Sequence, residues 1–255
     1  MFTITYDSWP RKLVRKTLPK SFRAKAWNLI HQYGRFRQSL RRDTTDGEFE
    51  MICAVLPQKR DGFIVDVGAN DPYFGSVSRP FIRLGWKAIL VEPHPVAFER
   101  LRAAYQSQPR VQMCQAACSN TKGRMPLHIG KDGDEACLST LCNDDTLKHR
   151  LTGEVIEVDV LRLTEVLQQC KAPKEIDVLA IDAEGMDFEV LQGLDFSQFQ
   201  PHVIVTEGYK LKEAAKRELL ALAGYELFGH CQSNSLWRLR LERLRKVTPF
   251  ASDPR

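Results

Sequence analysis

Apolar residues in this chain recur as short runs rich in β-branched side chains, each ended by Gly, Pro or an acid. Runs of that kind read as buried strands. They predict strands over 63–67, 87–91, 111–116, 176–181 and 203–206. Between them the apolar positions are spaced as on a helix face. That spacing predicts helices over 48–56, 77–84, 95–105, 163–169, 188–191 and 212–223, the last closed by Gly224. Pro95 stands at a first-turn position, where its missing N–H costs nothing. Two further strands are expected at 125–129 and 155–160, the second alternating apolar and acidic residues as a half-exposed strand does. Residues 225–228 and 236–239 read as a closing hairpin. Residues 130–153 are polar and irregular, which suits a substrate-side loop.

Strands alternating with helices predict an α/β fold: an open, mostly parallel, Rossmann-like sheet with helices on both faces. The first two strands are spaced as a βαβ unit with a right-handed crossover. The expected domain spans residues 46–240, between a basic, partly helical extension (1–45) and a basic tail (241–255).

Composition narrows the class. The 255 residues suffice for one domain with a sizeable core, and 43% hydrophobic content is ordinary for a globular protein. The sequence holds no uninterrupted apolar run long enough to span a bilayer, and its first residues lack the basic-then-apolar order of a secretory signal. A cytoplasmic protein is therefore expected. Seven cysteines include a cluster at Cys114, Cys118, Cys137 and Cys142, but no His stands at a zinc-like spacing, so reduced thiols are expected. The net charge of +5 is uneven: lysines and arginines crowd residues 11–42, against Asp7 and Asp43. A second basic run lies at 238–246. Such tracts attract lipid headgroups, nucleic acid or anionic substrates. The interleaved Trp9, Phe22, Trp27 and Phe36 favour docking onto the domain over nucleic-acid binding. Peripheral contact with the inner face of a membrane stays open on the same ground.

The candidate chemistry sits where open α/β sheets bind ligands, beyond the C-terminal strand ends. The first strand breaks into Gly68-Ala69-Asn70, and a glycine there lets the backbone turn sharply and approach a ligand closely. The following helix start offers N–H groups to an anion. Glu92 ends the second strand, where an acid can accept hydrogen bonds from ribose hydroxyls. Asp182 and Glu184 follow the fourth strand and Glu207 ends the fifth. The turn after Gly68 is too poor in glycine for a dinucleotide fingerprint, which tilts the ligand toward a smaller nucleoside.

Taken together, Val65-Asp66-Val67-Gly68-Ala69-Asn70, Val91-Glu92-Pro93 and Ile181-Asp182-Ala183-Glu184-Gly185 followed by Glu189-Val190-Leu191 resemble the FkbM-type methyltransferases. Gly85-Trp86, Ala116-Ala117-Cys118-Ser119, Leu138-Ser139-Thr140 and 203–207 agree, and the resemblance runs over roughly 46–240. The resemblance does not take in the basic extension at 1–45. The resemblance implies the seven-stranded class I fold and S-adenosylmethionine as cofactor. It implies that Gly68, Ala69 and Asn70 line the methionine part, and that Asp66 lies near the amino group or holds the turn. Glu92 would bind the ribose, Ala116 and Ala117 would flank the adenine, and Asp182 would lie under the transferred methyl.

The acceptor implied is a hydroxyl on a sugar, glycan, glycolipid or related metabolite, as in polysaccharide biosynthesis. A sugar hydroxyl is a poor nucleophile and needs a base or a metal. In one reading Asp182 is the general base, assisted by His94. In the other, Asp182, Glu184 and Glu207 hold a divalent cation such as Mg²⁺. Two other classes are weighed against this one. An NAD-type oxidoreductase would want more glycine after the first strand. A non-catalytic scaffold docking through its basic tails would have no need of acids at the strand ends.

Overall fold

The computed structural model describes residues 47–56, 61–73, 75–130, 139–141, 151–208, 212–231 and 233–240. The basic extension, the basic tail and most of the irregular 130–153 segment lie outside these described residues.

The described chain opens with helix α1 (Glu48–Val55). Strand β1 (Phe63–Val67) is buried along its whole length and is the centre of the fold. Helix α2 (Ser78–Arg83), strand β2 (Lys87–Val91), helix α3 (Pro95–Tyr105) and strand β3 (Val111–Cys114) follow. After three strands of a smaller sheet come α4 (Leu163–Gln169), β7 (Glu175–Ile181), α5 (Asp187–Gln192) and β8 (Gln200–Glu207). Helix α6 (Glu213–Ala223) ends at Gly224, in the left-handed region at φ 97°, and leads to β9 (Tyr225–Cys231) and β10 (Asn234–Leu239).

The main sheet has seven strands in the order β3-β2-β1-β7-β8-β10-β9. The β3/β2, β2/β1, β1/β7 and β7/β8 pairs are parallel, and β10 runs antiparallel to both its neighbours. The order turns at β1, with connections leading outward on both sides, so ligands are expected at the C-terminal ends of β1 and its neighbours. The pleat divides the core between the faces. Val65, Val67, Ile89 and Val91 pack with Leu163 and Leu167 of α4 and Val190 of α5. Ile64 and Leu90 pack on the other face with Ile52 of α1, Phe81 of α2 and Leu101 of α3. A parallel sheet covered on both faces explains why its strands read as near-continuous apolar runs.

Two expectations are corrected. The strand predicted over 111–116 stops at Cys114. The chain then forms a separate sheet in the order β4-β6-β5, from β4 (Ala117–Cys118), β5 (Gly123–Gly130) and β6 (Leu151–Leu161). Residues 151–153, expected in the irregular segment, belong to β6. This sheet closes over Ala117, Leu127, Val158 and Val160 and forms one wall of the site.

Candidate active site

The C-terminal edge of the main sheet opens into a cleft, where open α/β sheets bind their ligands. Gly68 and Asn70 line it after β1, Glu92 and His94 after β2, and Ala116, Ala117 and Cys118 after β3. Asp182, Ala183 and Glu184 line it after β7, and Leu127, Ser139 and Leu141 come from the side of the small sheet. The bend at Gly68, the acid of Glu92 and the acid of Asp182 therefore share one cavity.

Gly68 has φ 84°, and a Cβ built on it would lie 1.9 Å from the carbonyl oxygen of Asp182. Its N–H and that of Ala69 both donate to the carbonyl of Val91, at 2.9 and 3.1 Å. Glycine is thus required by the neighbouring strand end as well as by the turn. Asn70, at φ 43°, directs its N–H onto Glu92 Oε2 at 2.9 Å, and His94 N–H donates to Oε1 at 2.8 Å. Each carboxylate oxygen can accept a second bond. A vicinal diol in the cleft would find both acceptors fixed in place. Burial pushes the Glu92 carboxyl up to about 7, against the lowering effect of those two N–H bonds.

Asp66 and Ala69 take places other than the cofactor-lining ones expected. The Asp66 carboxylate receives Ser78 Oγ–H at 2.5 Å and the Ser78 N–H, and burial raises its pKa to about 6. The anion held at the start of α2 is thus the protein's own Asp66, which ties β1 to that helix. Asp66 is not among the residues lining the cleft, and its hydrogen bonds go to Ser78. Ala69 is buried, and its methyl packs into the core under α2 and α3.

The acids after β7 and β8 form one group. Carboxylate oxygens of Asp182, Glu184 and Glu207 lie within 4.8 Å of one another. Asp187, which sequence reading overlooked, builds their frame. Its Oδ1 accepts the Ala183 N–H at 3.0 Å and its Oδ2 the Glu207 N–H at 2.7 Å, so one buried carboxylate joins the ends of β7 and β8. Lys216, also overlooked, is buried in α6. It donates to the Glu207 carbonyl and pairs with Glu213 Oε2 at 3.2 Å. Burial raises Asp187 to about 6, with the two N–H bonds and Lys216 opposing it.

The cleft leaves the Asp182 side chain open to water, yet its carboxyl is pushed well above the ordinary carboxylate range. Enclosure by the protein is the larger cause, and Asp187, Asp66, Glu92 and Glu48 add to it.

His94 is the N-cap of α3. Its Nδ1 accepts the N–H groups of Val96 at 3.2 Å and Ala97 at 3.4 Å. With that lone pair used, the neutral ring carries its proton on Nε2 and offers the cleft a donor. Burial, then the charge of Arg100, holds the imidazole below its usual range, which favours this neutral form. Cys114, Cys118 and Cys170 are free thiols, and burial raises the pKa of each. Cys137 and Cys142 lie outside the described residues.

The residues present fit a nucleoside cofactor. Glu92 faces the cleft with acceptor capacity left on both oxygens, and Ala116, Ala117, Leu127 and Leu141 add apolar lining to the same cleft.

Comparison with known proteins agrees. The chain is 27% identical over 182 residues to 2-O-methyltransferase NoeI of Sinorhizobium fredii, covering 68% of this chain and 73% of that protein. It is 28% identical over 158 residues to methyltransferase sdnD of Sordaria araneosa, covering 52% of this chain and 60% of that one. Among solved structures, methyltransferase FkbM from Methylobacillus flagellatus KT superposes with a TM-score of 0.51 at 13% identity, a likeness of fold. The match takes in 89% of this chain and spans 57% of that one. Residues 66–231 match the Methyltransferase FkbM domain, and the chain belongs to this family of S-adenosylmethionine-dependent methyltransferases.

Proposed function

We propose that this chain transfers a methyl group from S-adenosylmethionine to a hydroxyl oxygen of a sugar, glycan or glycolipid. The observation that carries this reading is that Asp182, with a raised proton affinity, opens into the cleft that Glu92 lines. The relative NoeI carries 2-O-methyl transfer in its name. When bound, the cofactor supplies an electrophilic methyl on a sulfonium. Glu92 holds the ribose diol through the second acceptor sites of its oxygens. Asp182 lies on the acceptor side and takes the hydroxyl proton as the oxygen attacks. A base whose pKa is lifted toward neutrality suits that task, and fixing the acceptor in line supplies much of the rate. His94, capping α3 through Nδ1, contributes an Nε2 donor.

A second reading gives the acids to a cation. At about 2.1 Å per bond, two oxygens on one Mg²⁺ lie at most about 4.2 Å apart. The Asp182, Glu184 and Glu207 oxygens, within 4.8 Å of each other, need only a small side-chain shift to meet that limit. Such an ion would activate the acceptor hydroxyl and leave Asp182 a ligand.

The test is a methyl-transfer assay with labelled S-adenosylmethionine against a panel of oligosaccharides and glycolipids, with and without EDTA. Label on a sugar oxygen supports the proposal, and transfer confined to nitrogen or carbon acceptors contradicts it. Loss of turnover in EDTA, restored by Mg²⁺, selects the metal reading.

No described helix is long and apolar enough to cross a membrane. The basic tracts at 11–42 and 238–246 are proposed to dock the domain on anionic lipid. Recovery with anionic but not neutral vesicles, lost on deleting residues 1–42, is the expected result.

A further inference from the structure

Thr140 has no task in the reaction described above, yet it stands between two residues that line the cleft, Ser139 and Leu141. Thr140 is almost completely buried, at 1% exposure. Its backbone forms a two-way bridge with His128 on β5, Thr140 N–H to His128 O at 3.0 Å and His128 N–H to Thr140 O at 2.9 Å. Its Oγ–H donates across the cleft to the carbonyl of Glu184 at 2.7 Å. Glu184 stands at φ 47°, a region a residue with a side chain rarely occupies without support. The neighbours of Thr140 face the same cavity: Ser139 and Leu141 both line it. Ser139 Oγ in turn accepts the Gly130 N–H at 3.2 Å, so this wall is also anchored to the end of β5.

We propose that Thr140 is a positioning residue that joins the small sheet to the Asp182–Gly185 turn. The hydroxyl–carbonyl bond supports the left-handed backbone of Glu184 and holds Ser139 and Leu141 at the cofactor's side of the cleft. The two walls of the cleft then respond to cofactor as one unit. This inference rests on the reading of the cleft as a cofactor site and adds a residue to it.

The test is isothermal titration of S-adenosylhomocysteine into the full chain and two variants. Thr140→Val keeps the shape and removes the donor, and Thr140→Ser keeps the donor. The Val variant is expected to bind about five-fold more weakly, the equilibrium worth of one hydrogen bond, and the Ser variant within about two-fold of wild type. Equal affinity in wild type and the Val variant, or an equal loss in both variants, overturns the proposal. Hydrogen exchange on the wild-type protein decides independently, should the Val variant not fold. Residues 139–141 and 182–186 should gain protection together on adding S-adenosylhomocysteine, and protection of one tract alone overturns the coupling. Wild-type protein that does not bind S-adenosylhomocysteine at all contradicts the cofactor reading itself. Binding by wild type with no Thr140 effect contradicts only this inference.

Discussion

The carbonyl oxygen of Asp182 occupies the space where a Cβ on residue 68 would stand, 1.9 Å from its ideal position. The end of β7 therefore rests on the bare backbone of Gly68, and the acid proposed to meet the acceptor is located by the turn that meets the cofactor. Asp182 N–H donating to Val67 O at 2.9 Å fixes the same pair of strand ends from the other side.

Gly68→Ala tests that relationship. The added methyl meets a backbone carbonyl, which cannot swing aside as a side chain can, and the residue stays at φ 84°. Overpacking and left-handed strain together are expected to cost about 2–4 kcal/mol. Thermal unfolding should show a clear fall in melting temperature, and cofactor binding should be lost with it.

The buried carboxyls give the ligand-free protein a signed pH dependence. Burial lifts the folded Glu92 carboxyl from its ordinary 4.5 to about 7, and that of Asp66 from 3.8 to about 6. The folded state holds these protons longer than the unfolded chain, so their contribution is fully present below about 4 and is lost as pH rises through 6 to 7. Melting temperatures taken from pH 5 to pH 8 should fall on this account. Glu92→Gln, which has no proton to lose, should fall less steeply.

Asp182→Asn separates binding from turnover. The amide keeps the size of the acid and removes its capacity to take a proton, and Glu92 is untouched. Turnover is expected to drop by about 10²-fold or more, while S-adenosylhomocysteine binding stays near wild type. Single-turnover kinetics with matched titrations make the comparison.

Lys216→Met removes the buried cation that donates to Glu207 O and pairs with Glu213. Breaking a buried pair from one side leaves uncompensated negative charge, here beside Asp187. Because Glu213 keeps some contact with water, the expected cost is about 2–3 kcal/mol, below that of a fully enclosed pair. That is a fall of about 5–10 °C in melting temperature for a chain of this size. Calorimetry at neutral pH measures it directly.

The strands and helices with strong local punctuation were legible from sequence. β1 and β2 begin and end where the apolar runs do, and α3 begins at Pro95 and α4 after Arg162, as their caps require. The convergence of Gly68, Glu92 and Asp182 followed from strand order, because parallel strands put their C-terminal ends on one edge. What escaped depended on partners distant in the chain. Nothing local marks that the run after Cys114 leaves one sheet for another, since Ala117 and Cys118 are as apolar as the residues before them. Asp187 reads as an ordinary acid at a helix start. Its clamp exists only because the Glu207 N–H, twenty residues on, is folded against it. Lys216 reads as part of a solvated face, and only the Glu207 carbonyl and Glu213 explain its burial. The turn at Gly68, with φ 84°, carries Ala69 into the core on the face opposite Val65 and Val67, although its neighbours Gly68 and Asn70 line the cleft.

Calorimetric titration of S-adenosylhomocysteine into wild-type protein and Glu92→Ala tests the ribose-binding cleft most directly. Saturable one-to-one binding by wild type, weakened about ten-fold or more once the carboxylate is gone, is the predicted result. No heat of binding at millimolar ligand, or equal affinity in the two proteins, would contradict it.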